Sequence, residues 1–157
     1  MADVYHDLKR FSDRYEKLRN LFAQLHKVGA QTLTTGDLSG LVVGDLADGK
    51  YFDVSLAGIT ARFSFAFQPI ESNARVTCFR LNPLTPEILE SIAHFDFNGQ
   101  GIVAGMKMPN EPFGSEDLLV NKDSHGSYLL ATFLHKALTA SPALAASQPP
   151  VKTVSAA

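Results

Sequence analysis

A single cysteine, Cys78, is present in the whole chain. It excludes an internal disulfide and a cysteine-based zinc site. Charged residues make up only 19% of the chain and nearly balance, with a formal net charge of −2. That balance leaves no basic footprint for nucleic acid and no acidic block. No apolar run approaches the roughly 20 residues that a membrane-spanning helix needs. The N-terminus shows no charged-then-apolar leader ahead of a small-residue cleavage site. A cytoplasmic protein that avoids membranes is the expectation. What remains is an ordinary globular composition: 45% of the 157 residues are apolar, and such a length supports one domain with a real core.

The chain opens with "VYHDLKRFSDRYEKLRNLFAQL". Val4, Leu8, Phe11, Tyr15, Leu18, Phe22 and Leu25 are spaced alternately four and three residues apart, which is a heptad seam on a helix. The pattern predicts a helix from about Val4 to Val28, stopped by Gly29 and "TLTTGDLSG". With Leu8, Tyr15 and Phe22 as a positions, a parallel homodimer would set Arg14 at g against Arg19 at e of its partner, and like charges there repel. Three aromatic rings also crowd a two-stranded seam. Leu21 and Val28 widen the apolar stripe toward its C-terminal end, which suits a globular core. The helix is therefore expected to cover the chain's own sheet, with Phe11, Leu18 and Phe22 buried against it.

From Leu41 the apolar period becomes two. Asp48-Gly49 is a hairpin signal, because glycine takes positive φ at no steric cost. At Ala57-Gly58 the apolar positions change phase, from Phe52, Val54 and Leu56 to Ile59, Ala61, Phe63, Phe65 and Phe67. A two-residue hairpin loop demands that flip. It pairs Leu56 with Ile59, Val54 with Ala61 and Phe52 with Phe63 on one face. On the other it sets Asp53 beside Arg62 and Ser55 beside Thr60.

Arg75 to Leu81 reads as the next strand, with either Val76 and Cys78 or Thr77, Phe79 and Leu81 inward. "NPLTPEILESIAHF" carries a helix start, with Thr85 as cap, Pro86 at the first helical position and Glu87 in the first turn. Gly101 to Met108 looks like a buried strand, "PNEPFGSE" like a loop and Leu118 to Val120 like a short strand. "NKDSHGSYLLATFLHKAL" begins another helix, capped by Asp123 or Ser124. The predicted fold class is α+β. It has a long N-terminal helix, an antiparallel β-meander of about four to six strands, and middle and C-terminal helices packed on one face of the sheet. Residues 1–140 form a single globular domain, and 141–157 a disordered C-terminal tail. The other sheet face carries Asp53, Ser55, Thr60, Arg62 and Ser64, and is expected to be wet or to bind something. This coarse element order resembles that of small bacterial secretion chaperones, which are helix–sheet–helix dimers.

Candidate chemistry is sparse. Cys78 sits mid-strand among apolar neighbours and reads as packing. "DSHG", Asp123 to Gly126, reads as a helix start with His125 exposed, since adjacent residues rarely face one another as a triad must. His94 and Asp96 share a face if "HFDF" is a strand, but two ligands do not make a metal site. "GDLADG" lacks the spaced oxygens of a calcium loop. "GQGIVAG" fails the dinucleotide fingerprint in spacing and context, and reads as close backbone packing. Arg62, Arg75 and Arg80 read as surface residues, with the phenylalanines as core. No metal or cofactor is expected.

The last helix is apolar nearly all the way round, more than one sheet can cover. Tyr128, Leu130, Phe133, Leu134 and Leu138 are therefore the candidate partner-binding or dimer-interface residues, and a homodimer is expected. The function read from the sequence is a non-catalytic protein-binding module of adaptor, chaperone, immunity or inhibitor type. The alternative is a small enzyme or ligand-binding protein with a site near His94 and Asp96.

Overall fold

The computed structural model describes residues 2–34, 36, 38–82, 84, 85, 87, 89–109 and 116–140. Helix α1 (Ala2–Thr34) leads into strands β1 (Val42–Val43), β2 (Tyr51–Leu56), β3 (Ile59–Gln68), β4 (Asn73–Leu81), β5 (Leu89–Phe97), β6 (Ile102–Met108) and β7 (Glu116–Leu119). Helix α2 (Asp123–Thr139) follows. The strands form one antiparallel sheet in chain order, seven where four to six were expected. The expected tail, 141–157, and most of the "PNEPFGSE" loop lie outside the described residues.

The β2–β3 hairpin forms as its phase flip requires. Leu56 pairs with Ile59, Val54 with Ala61, Phe52 with Phe63, Asp53 with Arg62 and Ser55 with Thr60. Ala57 and Gly58 both take positive φ, 55° and 79°, the mirror-image turn that matches strand twist. Asp48 and Gly49 also turn with positive φ, closing the Ala47–Tyr51 bridge. In β4 the inward residues are Ala74, Val76 and Cys78.

The predicted middle helix is instead β5. Thr85 does not cap a helix; its N–H and that of Leu84 are bound by the side-chain oxygen of Asn82 in a turn. Residues Leu89 to Phe97 then pair along β4, with a bulge opposite Cys78 and Phe79 that leaves Ile92 unpaired. The bulge shifts the alternation, so Leu89, Ile92 and Ala93 mimic helical spacing. β6 is also less buried than expected. Val103 is inward, while Ala104, Gly105 and Lys107 are exposed.

Both helices lie on one sheet face. Leu18, Phe22 and Leu25 of α1 are fully buried. The Phe22 ring lies 5.4 Å from Phe52 and 5.5 Å from Phe65, and Tyr15 stacks on Phe65. Phe133 of α2 packs 5.0 Å from Phe95. Gly29 does not end α1, which runs on to Thr34. Its missing side chain admits Leu130, whose Cδ1 would lie 2.0 Å from a methyl there. Gly126 reciprocates, since a methyl there would lie 2.6 Å from Val28 Cγ2.

Phe22→Ala is expected to destabilise the fold by about 3–5 kcal/mol, the usual cost of emptying a buried aromatic site. Leu8→Ala, on the exposed half of the same stripe, is expected to stay within about 0.5 kcal/mol of the parent. Urea unfolding midpoints measure both.

Gly126→Ala gains up to about 1 kcal/mol of helix propensity. The stiff Val28 side chain has little room to retreat, so overpacking of about 1–3 kcal/mol is expected to win. A raised urea midpoint for Gly126→Ala would refute that contact.

Candidate functional site

The residues proposed for partner binding on α2 divide by burial. Leu130, Phe133 and Leu134 are buried within the chain, while Tyr128 and Leu138 are half-buried. The sheet covers one side of this helix through Phe95 and Cys78, and α1 covers another through Val28 and Gly29. Its C-terminal end is held by Arg80, which donates to the carbonyls of Ala137 and Ala140 at 3.1 and 2.9 Å and pairs with Glu90 at 2.7 Å. Arg80 is therefore inward and not a surface residue. It supplies the donors that the last helical carbonyls lack.

Among the described residues, three of the seven exposed large apolar side chains lie close together on α1. At 1.5 Å per residue, its 33 residues span roughly 50 Å. Burial begins only part of the way along. Phe11 is half-buried where full burial was expected, and Val4, Tyr5 and Leu8 are 62%, 78% and 60% exposed. The same heptad stripe that is core from Leu18 onward thus continues into solvent. Sequence carried a signal for this division. Leu21 and Val28 broaden the stripe only in its C-terminal half, whereas the N-terminal half keeps the narrow seam that suits a helical partner. Its polar side is organised internally by Arg10–Asp7 at 3.2 Å and Lys9–Asp13 at 3.6 Å. His6, Lys9, Arg10, Asp13, Arg14 and Lys17 line an open hollow of about 470 Å³ along that side.

The sheet face opposite the helices is mostly polar, with Val42 and Phe79 among its residues, and its arginines are paired. Arg62 donates to both carboxylate oxygens of Asp53 at 2.8 and 3.1 Å and lies over the Tyr51 ring. Ser55 and Thr60 share a hydrogen bond of 2.8 Å. Arg75 donates in the same forked manner to Asp96. His94 and Asp96 do share this face, opposite Thr77 and Arg75. The Asp96 carboxylate is committed to Arg75, whose hydrogen bonds hold its pKa below the usual carboxylate value, with lesser help from the nearby His94.

The remaining candidates have structural roles. Burial pushes the Cys78 pKa up to about 12, so the thiol stays protonated at neutral pH. His125 is buried, not exposed: its Nδ1 accepts the Leu119 N–H at 3.1 Å and its Nε2 lies 3.8 Å from Glu116. Neither Asp123 nor Ser124 caps α2; Lys122 occupies the cap position without a side-chain bond. In "GQGIVAG", Gly101 and Gly105 take positive φ at the β5–β6 turn and within β6. No three of His, Cys, Asp and Glu converge as metal ligands would among the described residues. No helix among them is long and apolar enough to cross a membrane.

Compared with protein-family models, curated proteins and solved structures, the chain finds no match. The expected likeness to secretion chaperones in element order therefore gains no support, and its middle helix is a strand.

The Arg75–Asp96 pair gives a pH test. Because the folded Asp96 pKa lies below its unfolded value, the pair stabilises the fold above the unfolded pKa and loses that contribution as pH falls through the folded one. Asp96→Asn is expected to be less stable than the parent at neutral pH, with the difference closing in acid. Urea midpoints from about pH 6 to about pH 2 follow it, and a constant gap would refute the assignment.

Proposed function

We propose that this chain is a non-catalytic protein-binding module of adaptor, chaperone, immunity or inhibitor type, working in the cytoplasm through the N-terminal half of α1. The observation that carries the reading is the apolar stripe of α1 running unbroken from core to solvent at Leu8 and Val4, with Tyr5 exposed beside it. A projecting helical segment this short is marginal in water alone, and covering its stripe stabilises it. Such a surface suits recognition of a helix or an apolar groove through anchors spaced three and four residues apart. The neutralised charges on the polar sheet face are consistent with a scaffold role for the sheet.

The test compares two sets of folded variants as baits in native-host extract, with each captured protein then titrated in purified form. Tyr5→Glu and Leu8→Glu are expected to lower affinity at least tenfold without moving the melting temperature. Cys78→Ser and His94→Ala are expected to bind within a few-fold of the parent. Capture that ignores Tyr5 and Leu8 would refute the surface. An activity abolished by His94→Ala or Cys78→Ser in a folded chain would refute the non-catalytic reading.

A further inference from the structure

We infer that β5 pairs edge to edge with β5 of a second copy of this chain, antiparallel about a two-fold axis at its bulge. This surface is separate from the α1 stripe and goes beyond the protein-binding reading.

The outer edge of β5 is open. The strand pairs with β4 from Leu89 to Phe97, but with β6 only at Phe97, opposite Val103. Beyond that point β6 turns away through Gly105, φ 72°, and pairs with β7 instead. The Asn98 N–H bonds the Ile102 carbonyl, so it faces β6. Backbone groups alternate along a strand, so those of His94 also face away from β4. The bulge at Ile92 adds one residue, and Ser91 and Leu89 carry the outward groups beyond it. Among the described residues no strand pairs with Leu89 to Phe95 on that side. A row of open donors and acceptors is a template for another strand.

The bulge selects a second copy as the occupant. The outward groups at Leu89, Ser91, His94 and Asp96 are spaced two, three and two residues apart. A regular strand presents such groups at every second residue and falls out of step at Ile92. An antiparallel copy matches, because its own series reads alike in both directions. With the axis between Ile92 and Ala93, Ser91 of each copy meets His94 of the other, and each such pair exchanges both main-chain hydrogen bonds. The side chains agree with this register. Ser91 and His94 are exposed, and a hydroxyl and an imidazole are hydrogen-bond partners. Half-buried Ile92 meets Ala93 of the other copy. No like charges face one another: Glu90 and Asp96 are tied to Arg80 and Arg75 of their own chain, and Phe95 and Leu89 of the other copy come opposite them. β5 holds neither lysine nor proline, the usual guards of a free edge. Its guard is the bulge, which turns away strands that do not share it. A patch that carries its own complement in reverse order is what a closed two-fold contact requires.

Sedimentation equilibrium and amide hydrogen exchange on the full chain are the test. The parent is expected to be a dimer at tens of micromolar. Its Ser91 and His94 N–H groups are expected to exchange at least tenfold more slowly there than at dilutions where the chain is monomeric. One variant carries Ser91→Glu with His94→Glu, and another Ser91→Lys with His94→Lys. Both side chains are exposed, so each variant is expected to keep the melting temperature of the parent monomer. Each alone is expected to dimerise at least tenfold more weakly than the parent, because like charges then face one another across the axis. The two mixed are expected to form a heterodimer, and a mixture that stays monomeric overturns the register. A dimer whose Ser91 and His94 amides exchange freely, or one that survives in both charged variants, overturns this edge as the interface. A monomeric parent overturns the inference outright, and slow exchange of those amides in it would mean that the chain's own residues fill the edge. The α1 reading stands or falls separately, on Tyr5→Glu and Leu8→Glu.

Discussion

Two glycines govern how the helices share the sheet. Leu130 of α2 fills the space left by Gly29 of α1, and Val28 of α1 fills the space left by Gly126 of α2. With side chains at both points the helices would stand apart, and the sheet face beneath them would open to water. With glycines they close over Phe52, Phe63 and Phe95 as one layer. This contact accounts for the composition of α2. A helix apolar nearly all round needs cover on more than one side, and here the sheet supplies one side and α1 another. The helix pair, more than either helix alone, completes the core.

The inner face also holds charge at one place. Arg80 and Glu90 are only 12% and 13% exposed, and Arg80 spends its other donors on the end of α2. A buried ion pair carries a desolvation cost, so its value lies in the carbonyls it also satisfies. It ties β4, β5 and the end of α2 together at the point where the apolar layer stops. On the outer face the Arg62–Asp53 and Arg75–Asp96 forks cross neighbouring strands. They give a wet sheet face a fixed pattern of charge while leaving it close to neutral.

α1 divides one stripe between two environments. Its C-terminal half is core. Its N-terminal half continues the same heptad into solvent and keeps its polar side in order through its own ion pairs. The heptad positions are apolar in both halves, broadened by Leu21 and Val28 only in the second, and the halves part where the sheet ends beneath the helix.

The hairpin at Ala57-Gly58 was legible in the sequence down to its cross-strand pairs, because a period of two and a forced phase change admit one register. The seam of α1 was legible as well, as were the outer placement of Arg62 and the packing role of Cys78. β5 was not, because its bulge at Ile92 breaks the alternation and leaves helical spacing in its place, beside a good helix start at Thr85 and Pro86. Arg80 and His125 looked like surface residues because polar type is the only local signal available. Their inward positions follow from partners many residues away or across a turn: the end of α2 for one, the Leu119 N–H for the other. By itself the sequence determined local geometry: turns, periods and the apolar stripe on each element. Only the tertiary structure decided which stripes cover one another. Leu130 is core and Leu8 is surface because Gly29 lets α1 reach α2, while the sheet stops short of the start of α1.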